Sequence, residues 1–226
     1  MEQFTSGDSG GRGSPRQRPR VDRFVFARLR YSSGDWDYNP KVASNVLDSV
    51  MRYTTIPVEE REVVVDLTDD ALFDLPFLFM TGHQPVRLRP EERRRLERYV
   101  RNGGFLFSDD CNHDVDGAYA RSFEREMAAM FHGDEAMGKL PNSHELYRCF
   151  FTFADGPPTT SHELNGWGDE LVHEYLQAVQ IDGRIGVIYS NKDYGCEWDY
   201  DYRNKRFYQN DNTRFAVNLV VYALTR

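Results

Sequence analysis

The sequence predicts an α/β protein with a doubly wound, mostly parallel sheet. Short apolar segments alternate along the chain with amphipathic helical segments, which is the pattern of repeated β-α-β units. One of these segments, residues 77–80, is apolar at every position, as expected of a strand that helices cover on both faces. Several apolar segments also end abruptly in polar residues, which is typical of strands that stop at a ligand-binding edge.

The length of the chain suits one sizeable domain. With 226 residues it can bury one hydrophobic core, and we expect a single domain over residues 23–226. Residues 1–22 are rich in Gly, Ser, Pro and Arg and lack the apolar stretch of a secretory signal. They predict a flexible N-terminal tail.

Apolar periodicity predicts the elements of this domain. The helix over residues 41–53 places Val42, Val46 and Val50 on one face, and the helix over 89–101 has a proline in its first turn and glycines after its end. The predicted elements are, in chain order, strands in 23–31, 61–67, 77–80, 105–108 and 184–190, helices over 41–53, 89–101, 118–131, 170–177 and 212–224, and an extended aromatic segment over 146–153.

Charge and composition exclude several classes of protein. The formal net charge of −8 argues against binding to a phosphate backbone, and the arginines of residues 90–98 alternate with glutamates as on a solvated helix face. The longest apolar run, residues 215–224, is interrupted by Asn218 and is too short to cross a membrane. The three cysteines are widely spaced, which predicts a reducing, cytoplasmic location. We therefore expect a soluble protein without a nucleic-acid partner and without direct membrane insertion.

Polar side chains collect at one edge of the predicted sheet. The carboxyl ends of parallel strands meet at that edge, where ligands bind in open α/β sheets. The opposite edge has plainer turns, such as the Asp-Gly pair at residues 182–183. This asymmetry predicts a binding site for a small molecule or a protein partner. The loops on the polar edge are residues 32–40, 81–85, 108–114 and 191–199.

Two imidazoles and a carboxylate make up the predicted metal site. His83, Asp109 and His113 follow buried strands and offer the mixed nitrogen and oxygen ligands of a divalent transition metal. Asp109 and Asp110 are predicted to point to opposite sides of the sheet, so that only one of them enters the crevice as a general base or ligand. A helix cap remains the alternative role for either aspartate, and a hydrogen bond to a neighbouring loop remains the alternative for His83.

Cys111 is the third predicted catalytic residue, beside Asp109 and Asp110. A thiol near a helix N-terminus is a candidate nucleophile. A nucleophile elbow, however, needs small residues on both sides, and Cys111 has Asp110 and Asn112 as neighbours. A structural, partly buried thiol is therefore the alternative. The residues predicted to form the ligand-binding walls of the crevice are Asp35, Trp36, Tyr194, Cys196 and Trp198.

The order of several motifs resembles a bacterial family, the domain of unknown function 4159, over about residues 23–226. The resemblance implies a class I glutamine amidotransferase-like, flavodoxin-like three-layer sandwich. It also implies AAA ATPases of the MoxR type and von Willebrand factor A proteins as partners, since the family often occurs in larger membrane-anchored proteins encoded beside them. The motifs are RLRY with Asp35-Trp36, FLFMTGH, GGFLFSDDC, the segment 141–150, IYSNKDYGCEW and NLVVYALTR.

Two functions are consistent with these features. The first is a metal-assisted enzyme in which the metal polarises a substrate or activates water. We expect this enzyme to lack glutaminase activity, because the glycine-flanked elbow of the amidotransferases is missing around Cys111. The second is a non-catalytic binding or scaffold domain that works with the AAA ATPase and von Willebrand A-type partners.

Overall fold

The structure is a computed structural model that describes residues 22–111, 117–164, 172–200 and 212–226. The predicted flexible tail lies, apart from Asp22, outside the described residues, and so does His113. Within the described ranges no helix is long and apolar enough to cross a membrane.

The structure contains seven strands and six α-helices in the part of the chain that it describes. The strands are β1 (Ala27–Arg30), β2 (Val63–Asp66), β3 (Phe77–Gly82), β4 (Phe105–Asp110), β5 (Gly138–Lys139), β6 (Gln177–Ile181) and β7 (Arg184–Ser190). The helices are α1 (Val42–Tyr53), α2 (Pro90–Arg101), α3 (Ala118–Met130), α4 (Ser161–Leu164), α5 (Tyr194–Asp199) and α6 (Thr213–Thr225).

All strands belong to one sheet with the order β2-β1-β3-β4-β7-β6-β5. The strands from β2 to β7 pair in parallel, and β6 and β5 add antiparallel pairs at one side. The predicted mostly parallel α/β architecture is therefore confirmed. The turn between β6 and β7 is the predicted Asp182-Gly183 pair, and both residues have positive φ angles of 52° and 78°, as a tight hairpin requires.

The alternation of side chains along the strands divides the core into two parts. Phe105 and Phe107 of β4 belong to the apolar cluster that contains residues of α1, α5 and α6. Leu106, between them, belongs to the cluster that contains residues of α2 and α3. Helices therefore cover both faces of the sheet, which explains why β3 and β4 are buried at every position.

Two predicted elements differ from the structure. Of the helix predicted over residues 170–177, residues 170 and 171 lie outside the described part and residues 172–176 are not helical. Gln177 begins β6, which pairs with β7 in a hairpin. The segment 146–153, predicted to be extended, forms no strand. Its backbone is held instead by the buried Asn218 of α6, which accepts from the N–H of Phe151 at 2.8 Å and donates to the carbonyls of Leu146 and Phe151 at 2.8 and 2.9 Å.

Candidate functional site

Four strands end at the polar edge of the sheet and place its loops. The chain order reverses between β1 and β3, so that their loops diverge and leave the crevice in which open α/β sheets bind ligands. β4 and β7 continue the same edge on one side. The strands that precede the four predicted polar loops therefore end at one edge of the sheet, as expected.

Asp109 and Asp110, the last residues of β4, face opposite sides of the sheet, and both are buried. Asp109 accepts hydrogen bonds from the backbone N–H groups of Tyr194 at 3.1 Å and Gly195 at 2.6 Å. Asp110 accepts a hydrogen bond from the hydroxyl of Tyr189 at 2.8 Å. Asp109 therefore fixes the N-terminus of α5, a capping role that acts across the sheet rather than on the next helix of the chain.

The carboxyl of Asp109 has a strongly shifted acidity. Burial raises the pKa of Asp109 to about 8, although hydrogen bonds from Gly195, Tyr194 and Ser190 oppose the rise by favouring the anion. A nearby charge on Asp110 adds to the rise. The polar edge thus contains a carboxyl that keeps its proton far more readily than an exposed aspartate does.

Gly195 lets the first turn of α5 approach this carboxyl closely. A Cβ atom at this position would lie 2.9 Å from Asn39 Nδ2 and 2.9 Å from Asp109 Oδ2. Both distances are too short for a side-chain carbon. A larger residue would therefore displace the Asn39 amide or the Asp109 carboxyl where α5, β4 and the loop after β1 meet.

Two cysteines and an aspartate form a compact cluster beside Gly195. One ligand atom each from Cys111, Asp193 and Cys196 lies within 4.8 Å of the others, and all three residues are buried. Cys111 directly follows β4, Asp193 caps α5 by accepting from the N–H of Cys196 at 3.3 Å, and Cys196 lies in the first turn of that helix. Among the described residues, this set is the only group of three or more His, Cys, Asp or Glu side chains found with ligand atoms this close together.

Polar groups from the other two loops contact the sulfur atoms. The side-chain amide of Asn39 donates to Cys111 Sγ at 3.6 Å and accepts from Cys196 Sγ at 3.5 Å. Thr81 Oγ1 lies 3.3 Å from Cys111 Sγ. All four polar loops of the carboxyl edge therefore contribute to one cluster.

Burial and contacts within the cluster raise the pKa values of Asp193 and Cys196. Burial and the nearby Cys111 and Asp109 hold the pKa of Asp193 well above its ordinary value. A hydrogen bond with Cys111 and burial raise the pKa of the Cys196 thiol. Asp193 and Cys196 therefore favour their protonated forms unless a cation offsets their charge.

Arg28 of β1 holds the loop that carries Asn39. The arginine is almost fully buried, and its Nε donates to Glu62 at 2.9 Å. Its terminal nitrogens donate to the carbonyls of Trp36 at 3.4 Å, Tyr38 at 2.9 Å and Asn39 at 3.1 Å. One guanidinium group thus satisfies three backbone acceptors of the loop and fixes its path over the sheet.

Asp35 connects the same loop to the end of β3. Its Oδ1 accepts from the backbone N–H groups of His83 at 2.8 Å and Gln84 at 3.1 Å, and its Oδ2 lies 2.6 Å from His83 Nδ1. The ring of Tyr38 packs edge-on against the imidazole at 4.4 Å. Gly82 makes this contact possible, since a Cβ there would lie 2.6 Å from the carboxylate of Asp35 and the φ angle is +152°.

Replacing Asp35 by Asn should lower stability in a pH-dependent way. Burial raises the pKa of Asp35, but the hydrogen bonds from His83 and Gln84 outweigh it and hold the pKa below 3.8. The stabilisation is therefore complete above pH 3.8 and is lost as the pH falls through the lower, folded value. We expect a loss of about 1 kcal/mol at pH 7, allowing for solvent screening.

Urea unfolding of the Asp35→Asn variant from pH 7 to pH 3 measures this effect. The exposed Asp37, two residues further on, provides the matched control, and Asp37→Asn should match the natural protein throughout. A deficit of the Asp35 variant that stays constant down to pH 3 would contradict an ionised Asp35.

The structure places the other predicted ligand-binding residues apart from the cluster. Tyr194 and Trp198 stack on each other at 5.4 Å in the apolar core beneath the edge, and both are buried. Trp36 is half-buried beside Arg30. Their role as ligand contacts stays a prediction, as does the metal site of His83, Asp109 and His113. Cys196, by contrast, lies beside Cys111.

The sequence patterns missed Asp193, Asn39 and Thr81. Asp193 lies three residues before Cys196, the spacing of an N-cap and the third residue of a helix, so the Asp-x-x-Cys pattern was an available signal. Residues 191–199 were predicted to form a loop, because six helical residues are too few for periodicity to be visible. Asn39 and Thr81 carry no such local signal, since their role depends on contacts distant in sequence.

The fold and the site together define an α/β protein whose mostly parallel sheet carries a buried cysteine and aspartate cluster at its carboxyl edge. The family model described as Domain of unknown function (DUF4159) matches residues 25–224, and the chain belongs to this family. The resemblance inferred from the motifs is thereby confirmed at the level of the family. No curated protein matches the chain.

Proposed function

We propose that this protein binds a thiophilic divalent transition metal of the zinc type through Cys111, Asp193 and Cys196. The observation that carries the proposal is the approach of their three donor atoms to within 4.8 Å in a buried place. Two thiolates and one carboxylate select zinc or a similar ion over magnesium or calcium, which prefer oxygen ligands alone.

The distances support this choice of ion. Thiolate and carboxylate donors around one tetrahedral zinc lie about 3.5–3.8 Å apart, given bonds of about 2.3 and 2.0 Å to the metal. The three donors already lie within 4.8 Å of one another. Rotations that move each donor by less than about 1 Å would close the site, a shift that side chains make readily.

The charges support it as well. The proton affinities of Asp193 and Cys196 are raised because their anions are buried beside other acidic groups. A divalent cation would offset this cost and displace the protons. Asn39 and Thr81, which contact the sulfur atoms, are placed to orient the thiolate ligands and to tune their basicity.

Three protein ligands leave one tetrahedral position for water or a substrate oxygen. A zinc ion with such a position can polarise a carbonyl or phosphoryl oxygen, or can lower the pKa of a bound water to about 7. The predicted imidazole ligand His113, two residues after Cys111, is the proposed alternative occupant of that position. Water or a substrate oxygen in the fourth position supports a metal-assisted enzyme. An imidazole in that position supports a structural metal centre.

The finer fold assignment is also part of this proposal. The parallel strands have the order β2-β1-β3-β4-β7, which corresponds to the 2-1-3-4-5 order of flavodoxin-like sheets. Helices on both faces support a three-layer sandwich. Within such a sandwich we infer an amidotransferase-like ancestry without glutaminase chemistry, because Asp110 and Asn112 replace the small residues of the elbow.

Metal analysis of the purified protein tests the proposal. We expect one equivalent of zinc by elemental analysis after dialysis, and a thiolate-to-metal charge-transfer band when Co²⁺ replaces zinc. Cys196→Ser should weaken zinc binding by about 100-fold, because each structural ligand contributes roughly 3 kcal/mol to a site of this kind. Asp193→Asn should weaken it less, because the amide keeps the helix cap.

Cys149→Ser is the matched control. The Cys149 thiol donates to the carbonyls of Leu146 and Asn218 and is not part of the cluster. This variant should bind zinc as the natural protein does. His113→Ala should weaken zinc binding only if the imidazole takes the fourth position. Equal zinc affinity in the Cys196 and Cys149 variants would overturn the proposal.

A further inference from the structure

We propose that Cys111 and Cys196 form a reversible disulfide that switches metal binding off. The inference rests on the proposed function, because the disulfide would use the two sulfur atoms that hold the metal. These atoms lie within 4.8 Å of each other, and a disulfide bond is about 2.05 Å long. A closure of less than about 3 Å, shared between two side chains, therefore joins them.

The surrounding contacts keep the two sulfur atoms facing each other. Asn39 contacts both sulfurs with one amide group, Nδ2 at 3.6 Å from Cys111 and Oδ1 at 3.5 Å from Cys196. The bonds from Tyr194 and Gly195 to Asp109 attach the helix of one cysteine to the strand end of the other. Because both backbones are held in place, forming the bond costs little conformational entropy.

The burial of the pair selects a small oxidant. Cys111 is 0% exposed and Cys196 is 6% exposed, so hydrogen peroxide reaches the sulfur atoms more easily than a bulky thiol reagent does. The sulfur of one thiol attacks the peroxide while its proton transfers to the departing oxygen, so that an S–O bond forms, the O–O bond breaks and a first water leaves. The second thiol then attacks this sulfenic sulfur, the S–O bond breaks, and a second water leaves. Two thiols and one peroxide thus give one disulfide and two waters.

The metal and the disulfide exclude each other. A zinc ion binds both sulfur atoms as thiolates. In the disulfide the two sulfur atoms are bonded to each other, and no thiolate is left to bind zinc. Oxidation therefore removes two of the three donors and leaves Asp193 alone. The site would bind metal in a reducing environment and release it under peroxide.

Peroxide treatment of the full chain tests this inference. The protein is freed of metal with a chelator, treated with hydrogen peroxide, and alkylated after denaturation. We expect alkylation to fall from three sites to one, at Cys149, and a cross-link between the tryptic peptides 102–121 and 193–203. Zinc binding should be lost in this form and restored by dithiothreitol. Zinc added before the peroxide should prevent the cross-link.

The controls separate this inference from the proposed function. Cys149→Ser should form the same cross-link, whereas Cys111→Ser should form none, and circular dichroism checks that both variants fold. If the reduced protein binds zinc but peroxide yields no cross-link, or yields one without loss of zinc binding, the inference alone fails. If the reduced protein binds no zinc, the proposed function fails and the switch fails with it.

Discussion

Replacing Arg28 by Lys should lower the free energy of unfolding by about 3 kcal/mol, because an ammonium group cannot satisfy the same set of buried acceptors. Arg28 contacts Glu62 and three carbonyls of the loop after β1, and it is 1% exposed. Lysine keeps the charge but has no planar fork. The carbonyl of Asn39, which is buried, and those of Trp36 and Tyr38, which are partly buried, would then lose donors.

The loop would also lose its attachment to the sheet. Asn39 is the last residue that Arg28 holds, and its amide contacts both cluster sulfurs. We therefore expect zinc affinity to fall by roughly 10-fold in Arg28→Lys, the lower end of the effect of removing groups that orient metal ligands.

Urea unfolding and zinc titration of the variant measure both effects. Arg30→Lys is the matched control, because Arg30 lies on the same strand with an exposed side chain that pairs with Asp66. Its unfolding midpoint and zinc affinity should match those of the natural protein. If Arg28→Lys lost no more stability and zinc affinity than Arg30→Lys, Arg28 would contribute only its charge.

Replacing Asp109 by Ala should destabilise the protein by about 3 kcal/mol. Its carboxyl accepts from the N–H groups of Tyr194 and Gly195, and the truncation would leave both donors buried without an acceptor. Each orphaned donor costs about 1–3 kcal/mol, and the release of a buried acidic group offsets part of the sum. The loss should appear as a lower midpoint in urea with an unchanged slope.

A second variant, Asp109→Asn, separates a positioning role of Asp109 from the predicted role as a metal ligand or general base. Asp109→Asn keeps one oxygen for the α5 backbone and should lose less stability than the alanine variant. Its zinc affinity should follow its stability, since Asp193 and Cys196 move with α5. Zinc binding abolished in a fully stable Asp109→Asn protein would show direct ligation instead.

Part of the site was predictable because it depends on local sequence. The two-residue repeat of a strand sends Asp109 and Asp110 to opposite faces, whatever the strand packs against. The apolar runs that become β3 and β4 likewise predict burial on both faces. The carboxyl-edge loops then follow from the parallel direction of the strands.

The partners within the site were not predictable in the same way. Asp109 and Tyr194 are 85 positions apart, and Asn39 and Cys196 are 157 positions apart. No periodicity connects positions at such separations. The pairing of β4 with β7 brings the first pair together, and the second pair also needs β1 beside β3 and β3 beside β4. Both contacts therefore depend on the packing of the whole sheet.

The sequence by itself determined the α/β class, the family, the alternation of buried faces and the edge at which polar residues collect. Only the tertiary structure decided which of those polar residues meet. It directs His83 Nδ1 toward Asp35 and brings Cys111 within 4.8 Å of Asp193 and Cys196. The physical reason is that local patterns set the direction of a side chain relative to its own strand, whereas the close approach of the short helix α5 at Gly195 sets how near Asp193 and Cys196 come to the end of β4. GGFLFSDDC therefore predicted the edge at which polar residues collect, and the fold of NKDYGCEW against it decided which of their atoms lie together in the cluster.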